Sequence, residues 1–396
     1  MAILINEKSD KEYDVIIVGA GPAGCAAGLA LRNSGLNVAV FDKHAFPRHK
    51  TCGDAIPNLT LKILKNIIPQ IEQEWESFQQ KENIKECLIH LPNHVNISAL
   101  WVLKAYNCKR IHFDDFLFQL LKKYGKADLY ENTKIIQLRE EPEYIKILTN
   151  QHHQYRCKML IAADGANSIF SRQLNNKTDA TAGTAVSQYI ENVQQKLGVN
   201  EIFLLKDIEG YFWIFPLNDN KANVGFGMTN NQKNKTSQNV KQIFENIISK
   251  HPEISLLFRQ SKALSPIYGF SLPFGGKPLQ YSANRILLTG DAAKLIDPLT
   301  GHGIDKAVLS GKYAAEHTID CFNNNRFDTQ FNQRYDIIVY QKIAKELNRN
   351  FKILLLLSCM QSFAFFIAKI MAFKAHFLKQ LGINTSPKKY SFSSTK

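Results

Sequence analysis

Three glycine-rich turns hold the residue patterns with the clearest chemical use. The first, Gly19-Ala20-Gly21-Pro22-Ala23-Gly24, is a GxGxxG that follows an apolar, β-branched run at residues 13–19 and opens a small-residue helix over 23–33. Gly19 permits a tight turn, Gly21 lets the backbone approach a pyrophosphate, and Gly24 allows the helix to pack closely on the strand. Gly28, one turn later, extends that close packing. Asp42 ends the next strand, residues 37–41, and lies 18 positions after Gly24, where an acid can hydrogen-bond a ribose hydroxyl. Strand, turn, helix and strand in so short a span make a βαβ unit and point to dinucleotide binding rather than a merely structural turn.

The second turn, Ala163-Asp164-Gly165-Ala166-Asn167-Ser168, is followed by Arg172. Asp-Gly on its own is a commonplace turn. The third runs from Gly290-Asp291-Ala292-Ala293 to Asp297-Pro298-Leu299-Thr300-Gly301-His302-Gly303-Ile304. There a strand ends in Gly-Asp and a helix begins near Gly303. Asp291 could accept a bond from a flavin ribityl hydroxyl, while N–H groups at the helix start face a flavin or phosphate oxygen. A plain strand-to-helix turn would need neither the proline nor the paired glycines.

The elements that must position these turns follow from periodicity. Residues 59–80 read as helix interrupted at Pro69, and 113–124 as helix with Asp114 and Asp115 in its first turn, complementing the dipole. Residues 134–138 and 144–148 are short alternating strands, and 157–162 is a buried one. From about 181 to 273 longer strands take over, at 184–190, 210–216 and 222–229, with one helix at 240–250. That block reads as a second, sheet-rich domain. Residues 285–289 return to a buried strand, and the last third is helical.

At 396 residues the chain exceeds the reach of one compact core, so two coupled domains are expected. Its 45% hydrophobic and 21% charged residues are those of an ordinary globular protein. A net charge of +14 favours anionic partners, an acidic lipid surface or phosphorylated small molecules among them. Without zinc-finger spacing, an RNA-binding signature or an Arg-rich block, nucleic acid is disfavoured, and no metal site is expected. The seven cysteines form no CxxC pair and read as reduced thiols in the cytoplasm. The start of the chain turns acidic and polar before its first apolar run, so no signal peptide is expected. Residues 351–373 are the most apolar stretch, uncharged from 353 to 368 and bracketed by Lys352 and Lys369. A buried helix over the substrate domain, an interfacial helix and a membrane span are the three readings. Lys369, Lys374 and Lys379 would suit an anionic lipid surface.

Taken together, GAGPAG, ADGANSIFSR and TGDAAKLIDPLTGHGI resemble, in order, the three flavin-contact motifs of the p-hydroxybenzoate-hydroxylase-like FAD superfamily, from about residue 13 to 316. The resemblance implies an α/β fold: a Rossmann-type FAD-binding domain with an inserted antiparallel-sheet substrate domain and a helical C-terminal region. The FAD-binding parts are expected at 1–80, 101–180 and 276–330, the substrate domain at 81–100 and 181–275, and the helical region at 331–396. Two further segments are similar to the geranylgeranyl reductase family. Residues 46–57, FPRHKTCGDAIP, resemble its Pro…Cys-Gly motif, and YFWIFP (211–216) followed by NVGFG (223–227) resembles its YxWxFP…VGxG strand pair. Arg110, with Phe113, Asp114 and Leu117, matches an RxxFDxxL segment near the cofactor. His302 departs from the pattern, since such reductases often carry an acid between the two glycines. The cofactor-contacting set so implied is Gly19, Gly21, Ala23, Gly24, Asp42, Lys43, Arg48, Cys52, Gly53, Arg110, Asp164, Gly165, Gly290, Asp291, Pro298, Gly301, Gly303 and Ile304.

Tyr211, Trp213 and Phe215 alternate along one strand and share a face, which is either packed into a core or a flat apolar wall for a lipid-like substrate. Cys52 has two readings as well. A lone cysteine is usually a small buried hydrophobe. Reduction of an isolated prenyl double bond, however, needs a proton on one carbon as flavin N5 delivers hydride to the other. A thiol with an ordinary pKa of about 8.5 could position the alkene or relay that proton. Neighbouring Arg48, His49 and Lys50 favour thiolate, which argues against the acid role. The expected activity is reduction of prenyl or other lipid-like double bonds at the cytoplasmic membrane face, with NAD(P)H or a reduced carrier protein as donor. A flavin monooxygenase or halogenase is the alternative, although the lysine-bearing and WxWxIP segments of halogenases are not found. A non-catalytic flavin-binding membrane protein is the third class.

Overall fold

In the computed structural model, residues 11–92, 95–175, 183–206, 208, 210–230 and 239–359 are described. β1 (Lys11–Val18) is exposed at its first two residues and buried from Val15 onward, as suits a parallel strand covered on both faces. The glycine turn leads into α1 (Pro22–Ala30), with proline in its first turn, where a missing N–H costs nothing. β2 (Val38–Phe41) returns parallel to β1, Val15 opposite Val38 and Val18 opposite Phe41. A short β3 (Ala55–Ile56) follows, then α2 (Asn58–Ile67) and α3 (Ile71–Ser77), separated around Pro69 as the sequence predicts.

β4 (Glu82–Leu91) and β5 (Val95–Asn107) form a long hairpin, and α4 (Arg110–Tyr124) carries the chain back. β6 (Asp128–Tyr130), β7 (Ile135–Glu140), β8 (Ile145–Thr149) and β9 (Gln154–Ala162) come next, then α5 (Ile169–Asn175). β10 (Gly183–Glu191), β11 (Val199–Leu204), β12 (Gly210–Leu217) and β13 (Lys221–Thr229) form the centre of the second sheet, with α6 (Val240–Lys250) and the single turn α7 (Ile254–Leu257) packed on it. α6 opens on a capping box in which Asn239 Oδ1 accepts from Gln242 N–H at 2.9 Å and Gln242 Oε1 from Asn239 N–H at 3.1 Å. The chain closes through β14 (Lys262–Ala263), β15 (Tyr268–Leu272), β16 (Ser282–Ala283), β17 (Ile286–Leu288), α8 (Ile304–Asn323), α9 (Thr329–Val339) and α10 (Lys345–Cys359).

Among the described residues these strands build two sheets. The first has the order β16-β17-β9-β1-β2-β6, with β8 and then β7 added beyond β9. β17, β9, β1, β2 and β6 run parallel to one another. The second has the order β14-β10-β13-β12-β11-β4-β5-β3, with β15 also on β10, and is antiparallel except where β11 meets β4. This is the mixed α/β architecture with a helical C-terminal region that the sequence predicts.

Glycines set how closely the first sheet's helices approach. A Cβ on Gly28 would lie 2.8 Å from Leu121 of α4, and one on Gly311 would lie 2.1 Å from the Ala23 carbonyl, so α1 is clamped between α4 and α8. On the second sheet, one face packs Phe212, Ile214 and Phe226 against Phe244 of α6. The opposite face carries Trp213 and Phe215.

One expectation is corrected. α4 begins at Arg110, not Phe113, and has no acidic residue in its first turn. Asp114 is fully buried on the second turn, where it pairs with arginines and does not answer the helix dipole. Of the apolar stretch 351–373, the described part leaves Ile353, Leu355 and Leu356 exposed on α10. The remainder, with Lys369, Lys374 and Lys379, lies outside the described residues. No helix among the described residues is long and apolar enough to cross a membrane.

Candidate functional site

The glycine turns converge because the strands that feed them are parallel neighbours. Gly19 follows β1, Asp42 follows β2, Asp164 follows β9 and Gly290 follows β17, so all four sit at the carboxyl edge of one sheet. Gly19 (φ +101°) is required by both conformation and space, since a Cβ there would lie 2.3 Å from the Ala163 carbonyl oxygen. Gly24 is required by space alone: its Cβ would meet the Gly19 oxygen at 1.8 Å. Gly21 differs from both. It is the N-cap of α1 at φ −71°, no side chain caps the helix, and an added Cβ would meet only Arg48 Nη2, at 3.5 Å. The first N–H groups of α1 therefore open onto a space bounded by a guanidinium, an arrangement that suits an anion.

Around that opening the acids divide by what they already hold. Asp42 Oδ2 accepts from Ala20 N–H at 2.8 Å and Oδ1 from His44 N–H at 2.9 Å, leaving further lone pairs for a hydroxyl. Asp164 Oδ2 accepts from Ile169 N–H at 3.1 Å, while its buried Oδ1 has no partner. Burial pushes Asp164 up to about 6, against Ser168, the Ile169 N–H and the facing Lys43. The Asp291 carboxylate has no hydrogen-bond partner among the described residues, and Gly290 at its side adopts φ +56° beside Ala23. An orphaned buried oxygen, an uncapped helix start and a vacant carboxylate at one strand edge fit a ligand that brings hydroxyls and phosphates together.

The third loop is held from within and from both sides. Asp297 Oδ1 accepts the N–H groups of Leu299 (2.8 Å) and Thr300 (3.2 Å), and Asn350 of α10 donates to Oδ2 at 2.7 Å. Pro298 is buried, Gly301 takes φ +73°, and Gly303 caps α8 at Ile304 without a side-chain bond. Tyr211 of β12 donates to the Thr300 carbonyl at 3.0 Å, and a Cβ on Gly301 would be 2.7 Å from the Tyr211 oxygen. The second sheet thus touches the flavin-motif loop directly.

Asp114 organises the arginines. Arg110 forks onto it, Nε to Oδ1 at 2.7 Å and Nη2 to Oδ2 at 2.9 Å, and Arg48 Nη1 lies 3.2 Å from Oδ2. Burial opposes the charge on Arg110, but Asp114 more than offsets it and holds the guanidinium above its usual range. Arg48 also spans 3.9 Å to Asp42 Oδ1 and stacks 4.8 Å from the Phe46 ring, which brings it over the Gly21 turn. The buried carboxylate fixes both cations in place.

Cys52 sits between these arginines and the second sheet. A Cβ on Gly53 would lie 3.4 Å from Phe215 and 3.6 Å from Trp213, so the Cys52-Gly53 loop rests on that aromatic pair. Trp213 and Phe215 are 4% and 8% exposed, and Tyr211 is half-buried. Burial pushes the Cys52 thiol up, against the facing Arg110. The outcome differs from the thiolate expected from Arg48, His49 and Lys50, because Arg48 is committed to Asp114 and desolvation outweighs Arg110. The sequence reading did not single out Asp54, Tyr189 and Asn223, which surround this loop. Asp54 and Asn223 lie inside the two quoted motifs, and that position was the signal available.

A parallel sheet whose strand ends gather a glycine turn, two acids and a second loop roofed by an aromatic strand is the setting of an FAD-dependent oxidoreductase, and the comparisons with known proteins agree. The chain belongs to the family described as FAD binding domain, whose model matches residues 12–315. It is 28% identical over 353 residues to the digeranylgeranylglycerophospholipid reductase of Picrophilus torridus, covering 85% of each chain. A geranylgeranyl bacteriochlorophyll reductase-like protein from Thermoplasma acidophilum superposes with a TM-score of 0.78 at 24% identity, over 88% of both chains. A halogenase in complex with phloroglucinol and FAD superposes with a TM-score of 0.73 at 20% identity, over 88% of this chain and 76% of that one. The resemblance to geranylgeranyl reductases read from the sequence is borne out, and FAD is the cofactor.

Proposed function

We propose that this oxidoreductase saturates carbon–carbon double bonds in a prenyl or other lipid-like substrate. When bound and reduced, FAD supplies the hydride, and NAD(P)H or a reduced carrier protein recharges it. The turn from Gly19 to Gly24, with Ala23 packed behind it, would hold the pyrophosphate under Arg48. Asp42, Lys43, Asp164 and Gly165 would border the adenosine and phosphates. Gly290 and Asp291 would face the ribityl chain, and Pro298, Gly301, Gly303 and Ile304 the ring. Trp213, Phe215 and Tyr211 would wall the substrate side.

The observation that carries the reading is the seat of Cys52. Burial pushes its thiol up, and the same sulfur faces the Arg110 guanidinium and the Asp54 N–H. A proton donor needs both properties: protonated at rest, and relieved of charge once the proton has left. Relatives named as geranylgeranyl-type reductases support the substrate class.

Cys52→Ala tests this. The variant should keep its flavin and still accept electrons, while reoxidation of the reduced flavin by an alkene falls by about a hundredfold. Stopped-flow spectroscopy follows the two half-reactions separately. Unchanged alkene reduction would make Cys52 a packing residue. Oxygen-dependent hydroxylation in place of alkene reduction would establish the monooxygenase reading.

Ile353, Leu355 and Leu356 on α10, together with the net charge of +14, support a peripheral site at an anionic membrane on the cytoplasmic side.

A further inference from the structure

Helix α10 follows α8 and α9 in the chain, yet one of its faces grips the third flavin turn. Asn350 Nδ2 donates to Asp297 Oδ2 at 2.7 Å, and both residues are buried. One turn earlier on α10, Glu346 lies 3.6 Å from Lys306 Nζ, which is also 3.3 Å from Asp305 Oδ2, so the same face holds the first turn of α8. Leu347 and Phe351 close over a pair of glycines alongside. A Cβ on Gly275 would lie 2.5 Å from Leu347, and one on Gly276 would strike the base of the Phe351 ring. Gly275 in turn donates its N–H to the Ile296 carbonyl at 2.8 Å, next to Asp297.

Asp297 passes that grip to the loop. Its Oδ1 accepts from the N–H groups of Leu299 and Thr300, its own N–H donates to the His302 carbonyl at 2.8 Å, and its carbonyl accepts from Gly301 N–H at 2.9 Å. The turn from Leu299 to His302 is thus built on one residue, and the free end of that residue's carboxylate is held by Asn350. Lys306 is engaged with Asp305 and Glu346, so an amide answers the buried Oδ2. Without that amide a charged oxygen is left with no donor, which costs more than the bond itself and drives the turn to move. Beyond the turn, the first N–H groups of α8 have no side-chain cap, and an uncapped helix start favours negative charge in front of it.

We propose that Asn350 is a positioning residue for the flavin: by holding Asp297 it sets where the 299–303 backbone and the start of α8 meet the flavin ring, and so raises the ring's reduction potential. The proposal rests on the reading that this loop faces the ring. Reduction adds negative charge to the ring system, and N–H groups held toward it favour the reduced form. Asn350 acts through Asp297 and not by touching the ring.

The midpoint potential of bound FAD, read by dye equilibration beside a thermal melt of the same sample, tests the proposal. Asn350→Leu removes the donor, and Asn350→Asp sets two carboxyl groups against each other. Each should hold reduced FAD about tenfold less tightly relative to oxidised FAD, a fall of about 30 mV for a two-electron couple. Combining Asn350→Asp with Asp297→Asn restores the bond in the reverse direction. The amide at 297 still accepts from Leu299 and Thr300 through its oxygen, and its nitrogen donates to the carboxylate at 350. The potential of this exchanged pair should return to the parent's. A merely structural contact would lower the melt and leave the potential in place, so parental potentials in folded, flavin-loaded Asn350→Leu and Asn350→Asp overturn the proposal. If neither single variant folds, the exchanged pair decides: a parental potential supports the proposal, and a displaced one in a folded protein overturns it. His302→Glu puts a carboxylate in the loop itself and reports on the reading beneath. If it shifts the potential and the Asn350 variants do not, Asn350 is a structural contact only. If it too leaves the potential unmoved, the loop's place at the ring fails and the proposal falls with it.

Discussion

Gly21→Val separates the cofactor from the fold in a way that the neighbouring glycines cannot. At Gly21 the backbone is already in a region open to any residue, φ −71°, and the space beside it is bounded only by the tip of Arg48 at 3.5 Å. Valine at this N-cap should therefore cost the apoprotein about 1 kcal/mol or less, a fall of about 2–4 °C in Tm for a chain of this size. The ligand meets a different situation. In the proposed binding mode the added methyl groups would stand where the pyrophosphate comes to reach the N–H groups of α1. Losing two charge-assisted bonds, worth about 1.5 kcal/mol each at the lower end, weakens Kd by about two powers of ten. The assay is titration of apoprotein with FAD by fluorescence quenching, beside a thermal melt of the same sample. FAD at parental occupancy in a normally folded Gly21→Val would refute the phosphate assignment. Gly24→Ala is the control: its Cβ would lie 1.8 Å from the Gly19 oxygen, so it should lose the fold itself.

Asp291→Ala should lose most of the flavin while keeping its melt, because the carboxylate has no hydrogen-bond partner to give up among the described residues; absorbance after desalting reads it. The parent should carry about one FAD per chain, released by acid precipitation, since no attachment motif is present. Asp336 is pushed up to about 6 by burial, against Ser282 and the Tyr281 N–H, so the folded state holds its proton where the unfolded chain has lost it. Its contribution is full below the unfolded carboxylate range and declines as pH rises toward 6. Asp336→Asn should flatten that decline in a Tm-against-pH series, and a curve parallel to the parent's would refute the shift. Protein bound to anionic vesicles should be released in part by molar salt, where the screening length is about 3 Å. Indifference to such vesicles would end the membrane reading.

The turns were legible because their chemistry is local. Gly19, Gly21 and Gly24 lie within six consecutive residues, and each flavin motif is a strand end plus a few residues. The break at Pro69 was legible for the same reason. What was not legible depends on residues brought together from afar. Asn223 and Asp54 are 169 positions apart, and no spacing rule couples them. Asp114 was misread because Arg110 reaches it along α4 and Arg48 across from the β2 loop, and a buried carboxylate with two arginines outweighs any dipole preference. β11 went unread although it pairs antiparallel with the neighbouring β12, because VNEIFL lacks a clean apolar alternation and its other partner, β4, lies far away in the chain.

The pairing of β12 with β13 decides how the shape of the substrate side can change. Tyr211 stands opposite Gly227, Trp213 opposite Gly225 and Phe215 opposite Asn223. A Cβ on Gly225 would lie 2.1 Å from the Trp213 ring, so the indole lies flat across its neighbour's bare backbone. Contour on this face is written mainly by β12, while β13 contributes bare backbone at Gly225 and Gly227 and the hydrogen-bonding side chain of Asn223. A lineage needing a wider or narrower cleft can alter the residue at 213 without disturbing hydrogen-bond register, whereas any side chain at 225 ejects the ring. Shape on this face can therefore vary through the residue at 213, while position 225 is held to glycine by sterics.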